Sequence, residues 1–394
     1  MVSISAAEPM PPQERQARPW RAAALSALVV WITSHLAYLI INALNWRASH
    51  MSPPALHTII SAWKTWDSGH YLRIAEFGYT DQFELDRAFF PLYPILIKAA
   101  NYILPGDYLF AALAVSNIAA YGALVMLHRL TAHELGSATA DRTIYYLVAF
   151  PTAFFLVAPY NHSLFLLCAT ASLYAMRTGR WWVAGAMAAL ASGTRSVGVL
   201  LLLPFVYEYL RQRSFHWKRI RFDALAALLV PAGLIAYAVY CRLAFGSFTA
   251  FSQAQRYWYR GFDFPWNSLW RTIKEPFKHN ALDEFSIVNL TDFTAAAVFL
   301  VLLTLCVVGP WKLRRDQMYL VIFGLAVVLL PLLTPAADNR PLISMARHVL
   351  DVVPAFMLLG RIGEHRAFDR IYPMPAIAMQ AMFLLIFMHY DWVG

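Results

Sequence analysis

Between about residues 21 and 388 the sequence alternates long apolar segments with compact clusters of arginine and lysine, and this alternation leaves few folds open. Apolar runs of about 17–25 residues read as membrane-crossing helices, and short basic clusters between them read as cytoplasmic ends. With 59% hydrophobic and 14% charged residues, the 394-residue chain is far from a soluble domain, in which about a quarter of residues are charged. An all-α polytopic membrane protein is expected. The net charge of +9 resides in the clusters rather than on one continuous face, which argues against a nucleic-acid partner. Cys168, Cys241 and Cys306 fall inside apolar segments without metal-ligand spacing, so neither a disulfide framework nor a cysteine metal site is expected.

Residues 1–20 read as a mobile cytoplasmic tail and 21–394 as a single membrane domain. Spans are expected at 21–44, 108–130, 144–158, 163–176, 181–192, 197–210, 224–245, 293–308, 318–333, 343–359 and 371–388, about 11 in all, with nearly every compact basic cluster on one side. The segment 88–104 contains Pro91, Pro94, Lys98 and Asn101 and reads better as lying flat on the outer surface than as crossing. Two large outer loops follow from this topology, at 45–107 and 246–290. Asn161 and Asn289 match the glycosylation sequon, a weak pattern.

The first loop contains a stretch that lipid cannot accommodate. Residues 61–94 include Asp67, His70, Arg73, Glu76, Asp81, Glu84, Asp86 and Arg87. A charge at the bilayer centre costs about 2.5–3.5 kcal/mol even on the lenient insertion scale, so this stretch must face water or a protein cavity. The remaining unusual ionisable residues are expected on the same side: Arg195 in GTRSVG, Arg347 and His348 in SMARHVLDVVP, and Arg256 and Arg260 in the second loop.

One carboxylate facing several cations at a membrane surface suits a lipid-linked phosphosugar. The phosphate leaving group is already a stable anion, so such a site needs cations on the phosphate and one base on the acceptor hydroxyl. Arginine serves the first role through its planar fork and permanent charge, and aspartate serves the second within hydrogen-bond reach. Asp67 is thus the candidate base, with Trp66, His70 and Tyr71 beside it. Arg195, Arg347, His348 and Arg256 are the candidate phosphate ligands. Attack opposite the departing phosphate inverts the anomeric centre, and no metal or other cofactor is required. Each residue has a plainer role to weigh: Asp67 capping a helix, His70 a packed loop histidine, Arg195 snorkelling at a helix end. A transporter or flippase of lipid-linked sugars would use the same cations without chemistry, but would carry polar residues across the midplane.

The motifs WDSGHYLRIAEFGY, AFFPLYP, FPTAFFLVAPYNHSLFLL, GTRSVGVLLLLP, QAQRYWYR and SMARHVLDVVPAFMLLG, in that order, resemble the GPI mannosyltransferase II (PIG-V-like) family of integral membrane glycosyltransferases. The resemblance covers residues 66–360. It implies a GT-C type fold with juxtamembrane helices in a large first loop and a catalytic aspartate at the position of Asp67. It also implies mannose donated by a polyprenyl (dolichyl) phosphate to a lipid, glycan or protein hydroxyl, without a metal. The active site would lie on the extracytoplasmic face of a bacterial plasma membrane or of the endoplasmic reticulum. This chain has His162 where the family usually has an acidic residue, and His348 where it usually has tyrosine.

Overall fold

The computed structural model describes residues 12–49, 55–258, 260–278, 283–336, 339–389 and 391. Among these the chain is helical, with one isolated antiparallel bridge between Arg260 and Ala336. The first helix is Pro12–Ser49, so part of the expected polar tail is already helical. Gln13, Glu14, Arg15 and Gln16 are good helix formers, and a proline is tolerated in a first helical turn. Residues 1–11 of that tail lie outside the described residues.

Among the described residues, five helices are long and apolar enough to cross a bilayer: Pro19–Ala48, Tyr108–Leu135, Phe285–Val307, Arg315–Leu333 and Arg366–Met388. A sixth is added if Phe222–Leu229 and Ala232–Phe245, bent by 46° at their junction, form one span. The other expected spans fall on shorter helices, and those at 144–158, 197–210 and 343–359 are also broken. Ser137–Ala149 has 13 residues, His162–Arg177 16, Trp181–Thr194 14, Leu202–Gln212 11 and Val353–Ile362 10. At about 1.5 Å per residue even the longest covers about 24 Å, short of an about 30 Å hydrocarbon core.

Local chemistry accounts for the breaks. Pro151 and Pro159 cannot donate to a helical ladder and flank the 3₁₀ turn Ala153–Leu156. Gly198 brings a second 3₁₀ turn, Ser196–Leu201, so near the preceding helix that a Cβ there would lie 2.4 Å from the carbonyl carbon of Ala191 and from the Ser192 nitrogen. The segment 88–104 contains the helix Leu92–Ile103, whose 12 residues reach about 18 Å, too short to cross.

The bundle packs through small residues. Ala111, Ala112, Ala119, Ala120 and Ala123 are buried along the Tyr108–Leu135 helix, which lies against His162–Arg177 and Ser137–Ala149. Small side chains let helix backbones approach, and close packing is what drives association where lipid removes the hydrophobic term.

One end of this bundle is bound by buried charge. Arg177 reaches Glu134 at 2.7 Å, Asp316 at 2.5 Å and Glu208 at 3.5 Å, while Arg211 meets Glu208 at 2.6 Å. Tyr319 and Gln317 donate to Glu134. Four stretches distant in sequence are tied there, among the basic clusters read as cytoplasmic. The His162–Arg177 helix carries Arg177 at this end and His162 at the other, roughly 22 Å away.

Candidate active site

At the His162 end, two site-bearing helices begin through strained backbone. Trp66 has φ 49° just before the helix Asp67–Phe77, and Ser344 has φ 74° just before Met345–His348. A non-glycine residue held at positive φ costs of order 1–3 kcal/mol and persists only where its surroundings fix it. Around Arg347 the fixing groups are visible. The Ala346 N–H donates to Asp292 at 2.8 Å, and Thr152 donates to the Ala346 carbonyl at 2.6 Å. Asp292 is buried on the Glu284–Val307 helix. The two peptide groups that flank Ala346 are thereby each held, immediately before the Arg347 side chain.

Arg347 Nη2 lies 2.8 Å from Asp67 Oδ2. Its guanidinium carbon also stands 5.6 Å from the ring centre of Phe155 and 5.5 Å from that of Tyr160. The Asp67 N–H donates to the Tyr160 hydroxyl at 3.2 Å, so the same tyrosine orients both partners. Asp67 does not cap its helix: it is the first helical residue, and its carboxylate turns to Arg347 instead. Arg195 does not snorkel to solvent. Its Nη1 meets the buried Asp351 carboxylate at 2.5 Å and His162 Nδ1 at 3.1 Å.

Asp67, Tyr71, Arg195, Arg347 and His348 line one cavity of about 520 Å³, together with His162, Arg260 and Asp351. Burial, followed by the like charge of Arg347, pushes the Arg260 guanidinium down to about 10, which leaves it charged at neutral pH. Arg260 is fastened from outside by the bridge to Ala336 and by donation to the Thr334 carbonyl at 3.2 Å.

Three other expected site residues sit elsewhere. His70 binds Asp86 at 2.6 Å and stacks on Phe89, with Arg73 making two further bonds to the same carboxylate at 2.6 and 2.7 Å. Burial opposes ionisation of Asp86, but the bonds from Arg73 and His70 outweigh it and hold its pKa below the usual carboxylate value. This cluster braces the first loop rather than facing the cavity. Trp66 contributes its backbone bend, with its side chain 41% exposed. Arg256, expected among the phosphate ligands, faces a separate groove with Glu84, Arg87 and Tyr257. Residues one apart on the 3₁₀ turn Gln255–Trp258 point about 120° apart, so Gln255 takes the inward position and Arg256 the outward one.

Asp351 and Asp292 were not among the expected site residues, although each is a lone acid in an apolar run, the pattern that marks function in membrane helices. Asn161 and Asn289 are buried, and their side chains donate to the carbonyls of Thr194 and Asn339, so neither sequon presents an accessible side chain. Among the described residues no three His, Cys, Asp or Glu side chains gather as a metal site.

Comparison with known proteins places this architecture. The chain is similar to GPI alpha-1,6-mannosyltransferase 2 of Rattus norvegicus, 27% identical over 260 residues, covering 60% of this chain and 50% of the relative. It is likewise similar to the Homo sapiens protein of that name, 30% identical over 145 residues, covering 34% of this chain and 29% of the relative. The chain thus spans half or less of the length of these relatives. Among solved structures, ArnT from Cupriavidus metallidurans, bound to undecaprenyl phosphate, superposes with a TM-score of 0.52 at 13% identity, over 91% of this chain and 76% of that one. The likeness is one of fold, and the fold is of the GT-C type. The family described as Mannosyltransferase (PIG-V) matches residues 36–268, more than half of the chain and the part that contributes Asp67 and Arg195, and the chain belongs to that family.

Proposed function

We propose that the protein is an inverting glycosyltransferase that moves mannose from a polyprenyl-phosphate carrier to an acceptor hydroxyl at the extracytoplasmic face of its membrane. The observation that carries this reading is the convergence of Asp67, Arg195 and Arg347, from three distant parts of the chain, on one cavity. Charge supports it. The cavity lining holds three guanidinium groups, Arg195, Arg260 and Arg347, and two carboxylates, Asp67 and Asp351, which leaves one positive charge with the histidines neutral. A sugar–phosphate–polyprenyl diester carries one negative charge. The family's description favours mannose as the sugar, and the undecaprenyl phosphate bound to ArnT favours a polyprenyl-phosphate carrier.

In this mechanism the diester phosphate enters beside Arg195 and Arg347. It shares the Arg347 fork, and the Asp67 carboxylate, paired with Arg347 in the resting site, turns to the acceptor. The acceptor oxygen attacks the anomeric carbon from the face opposite the phosphate. The bond from that carbon to the phosphate oxygen breaks with both electrons passing to the phosphate, and the acceptor proton passes to Asp67. Fixed cations aimed at the growing phosphate charge stabilise the transition state, and a positioned base contributes about 10²–10⁴-fold.

The test is transfer of radiolabelled mannose from polyprenyl-phosphate mannose to a membrane extract by the purified protein. Asp67→Asn is expected to lose transfer by at least the base's share while still binding donor. Undiminished transfer in that variant removes Asp67 as the base, and donor movement across vesicles without transfer in the wild type replaces the enzyme with a transporter.

A further inference from the structure

His162 opens the His162–Arg177 helix and is buried against the cavity that holds Asp67 and Arg347. Its Nδ1 lies 3.1 Å from Nη1 of Arg195. A guanidinium keeps its charge in proteins and can only donate, so Nδ1 is the acceptor and the single ring proton sits on Nε2. The arginine is itself fixed, because the same Nη1 donates to the buried Asp351 carboxylate at 2.5 Å. Asp351, Arg195 and His162 thus form a chain in which each member orients the next, and the chain ends in an N–H donor.

That donor is unspent: Nε2 has no hydrogen-bond partner among the described residues. Phe155 and Tyr160, with ring centres 6.1 and 6.3 Å from that of His162, pack around the imidazole. The Tyr160 ring centre is also 5.5 Å from the guanidinium carbon of Arg347, and its hydroxyl accepts from the Asp67 N–H. His162 therefore stands one side chain away from the Asp67–Arg347 pair. Behind it, Arg195 and Asp351 cancel in charge, so this wall suits a neutral oxygen. Asp351 Oδ1, buried without a hydrogen-bond partner among the described residues, leaves an acceptor on the same wall. A hydroxyl both accepts and donates, whereas the oxygens of a phosphate diester only accept.

We propose that His162 recognises the sugar of the donor: its Nε2–H donates to a ring hydroxyl of the mannose while Asp67 and Arg347 attend to the acceptor and the phosphate. The inference rests on the transferase reading for the identity of the ligand, and it assigns His162 to sugar specificity rather than to the chemical step.

The test separates the sugar from its carrier in a binding assay without turnover. Titration calorimetry of the purified, solubilised protein, with no acceptor present, compares undecaprenyl-phosphate mannose with undecaprenyl methyl phosphate, a diester of the same charge that lacks the hydroxyls. His162→Asn keeps an amide oxygen near the place of Nδ1 for Arg195 but carries nothing out to Nε2, and His162→Gln carries an amide N–H out to it. The wild type is expected to prefer the mannosyl lipid. His162→Asn should cut that preference about three-fold or more with unchanged affinity for the methyl diester, and His162→Gln should regain most of it. Among lipids bearing singly deoxygenated mannose, one should bind the wild type more weakly yet cost His162→Asn nothing further. A wild type without the preference overturns the proposal, as does a preference that His162→Asn retains. So does methyl-diester binding that weakens in both variants, which would put His162 on the phosphate, or deoxygenation that costs the His162→Asn protein as much as the wild type at every position. Should binding follow the expected pattern while the wild type transfers no mannose to a membrane extract, the transferase reading fails and the sugar contact stands.

Discussion

Asp292 is expected to govern activity without touching substrate. Its carboxylate accepts the Ala346 N–H at 2.8 Å inside the protein, one residue before Arg347, at a turn that Ser344 enters with a positive φ. Leaving a buried N–H without its acceptor costs about 1–3 kcal/mol. If that bond is what holds the Arg347 turn in register with Asp67, its loss lowers the fraction of correctly formed sites about 10–100-fold, at about 1.4 kcal/mol per factor of ten. Asp292→Ala removes the acceptor, whereas Asp292→Asn keeps an oxygen at the same place. Initial rates of label transfer should therefore fall about 10–100-fold in the alanine variant and recover most of the way in the asparagine variant. Thermal unfolding in detergent, measured alongside, separates loss of register from loss of fold. An alanine variant within two-fold of the wild type refutes the positioning role. An asparagine variant as impaired as alanine moves the role from the hydrogen bond to the charge.

Two further outcomes follow from the charge clusters away from the site. Arg177→Met leaves Glu134 and Glu208 buried without their shared cation and should destabilise the protein by about 3–5 kcal/mol, read as a fall in the unfolding midpoint in detergent; an unchanged midpoint would show that the remaining arginines suffice. Asp86 has a folded pKa held below its unfolded value of about 3.9, so the stability it contributes is complete above that unfolded value and is lost as pH falls through the folded one. Tryptophan fluorescence should report an acid transition of the first loop that disappears in Asp86→Asn, and an identical transition in that variant assigns it to another carboxylate.

The gathering of site residues was legible where a charge had no lipid-compatible explanation. Asp67, Arg195 and Arg347 stand out because each interrupts or borders an apolar run, and the structure brings all three to one cavity. His70 and Arg256 show the limit of that signal. Both lie in loops already rich in charge, where neither hydropathy nor period says which side chain turns inward, and Asp86 and the groove claim them. The span count exceeded the helices of crossing length for a related reason. Hydropathy measures composition, whereas continuity of a helix depends on single residues such as Pro151, Pro159 and Gly198. Asp351 lay within a motif read for its arginine, and its partnership with Arg195 depends on a fold-back between distant segments that no local pattern encodes.

The pairing of Asp67 with Arg347 also bears on how the protein is made. The two residues lie toward opposite ends of the chain, so during synthesis the aspartate is inserted long before its counter-ion exists. The early helices must wait with an unneutralised carboxylate at their rim until the closing segments arrive from the ribosome. A nascent or truncated chain that stops before residue 347 lacks the counter-ion of Asp67 and cannot assemble this centre.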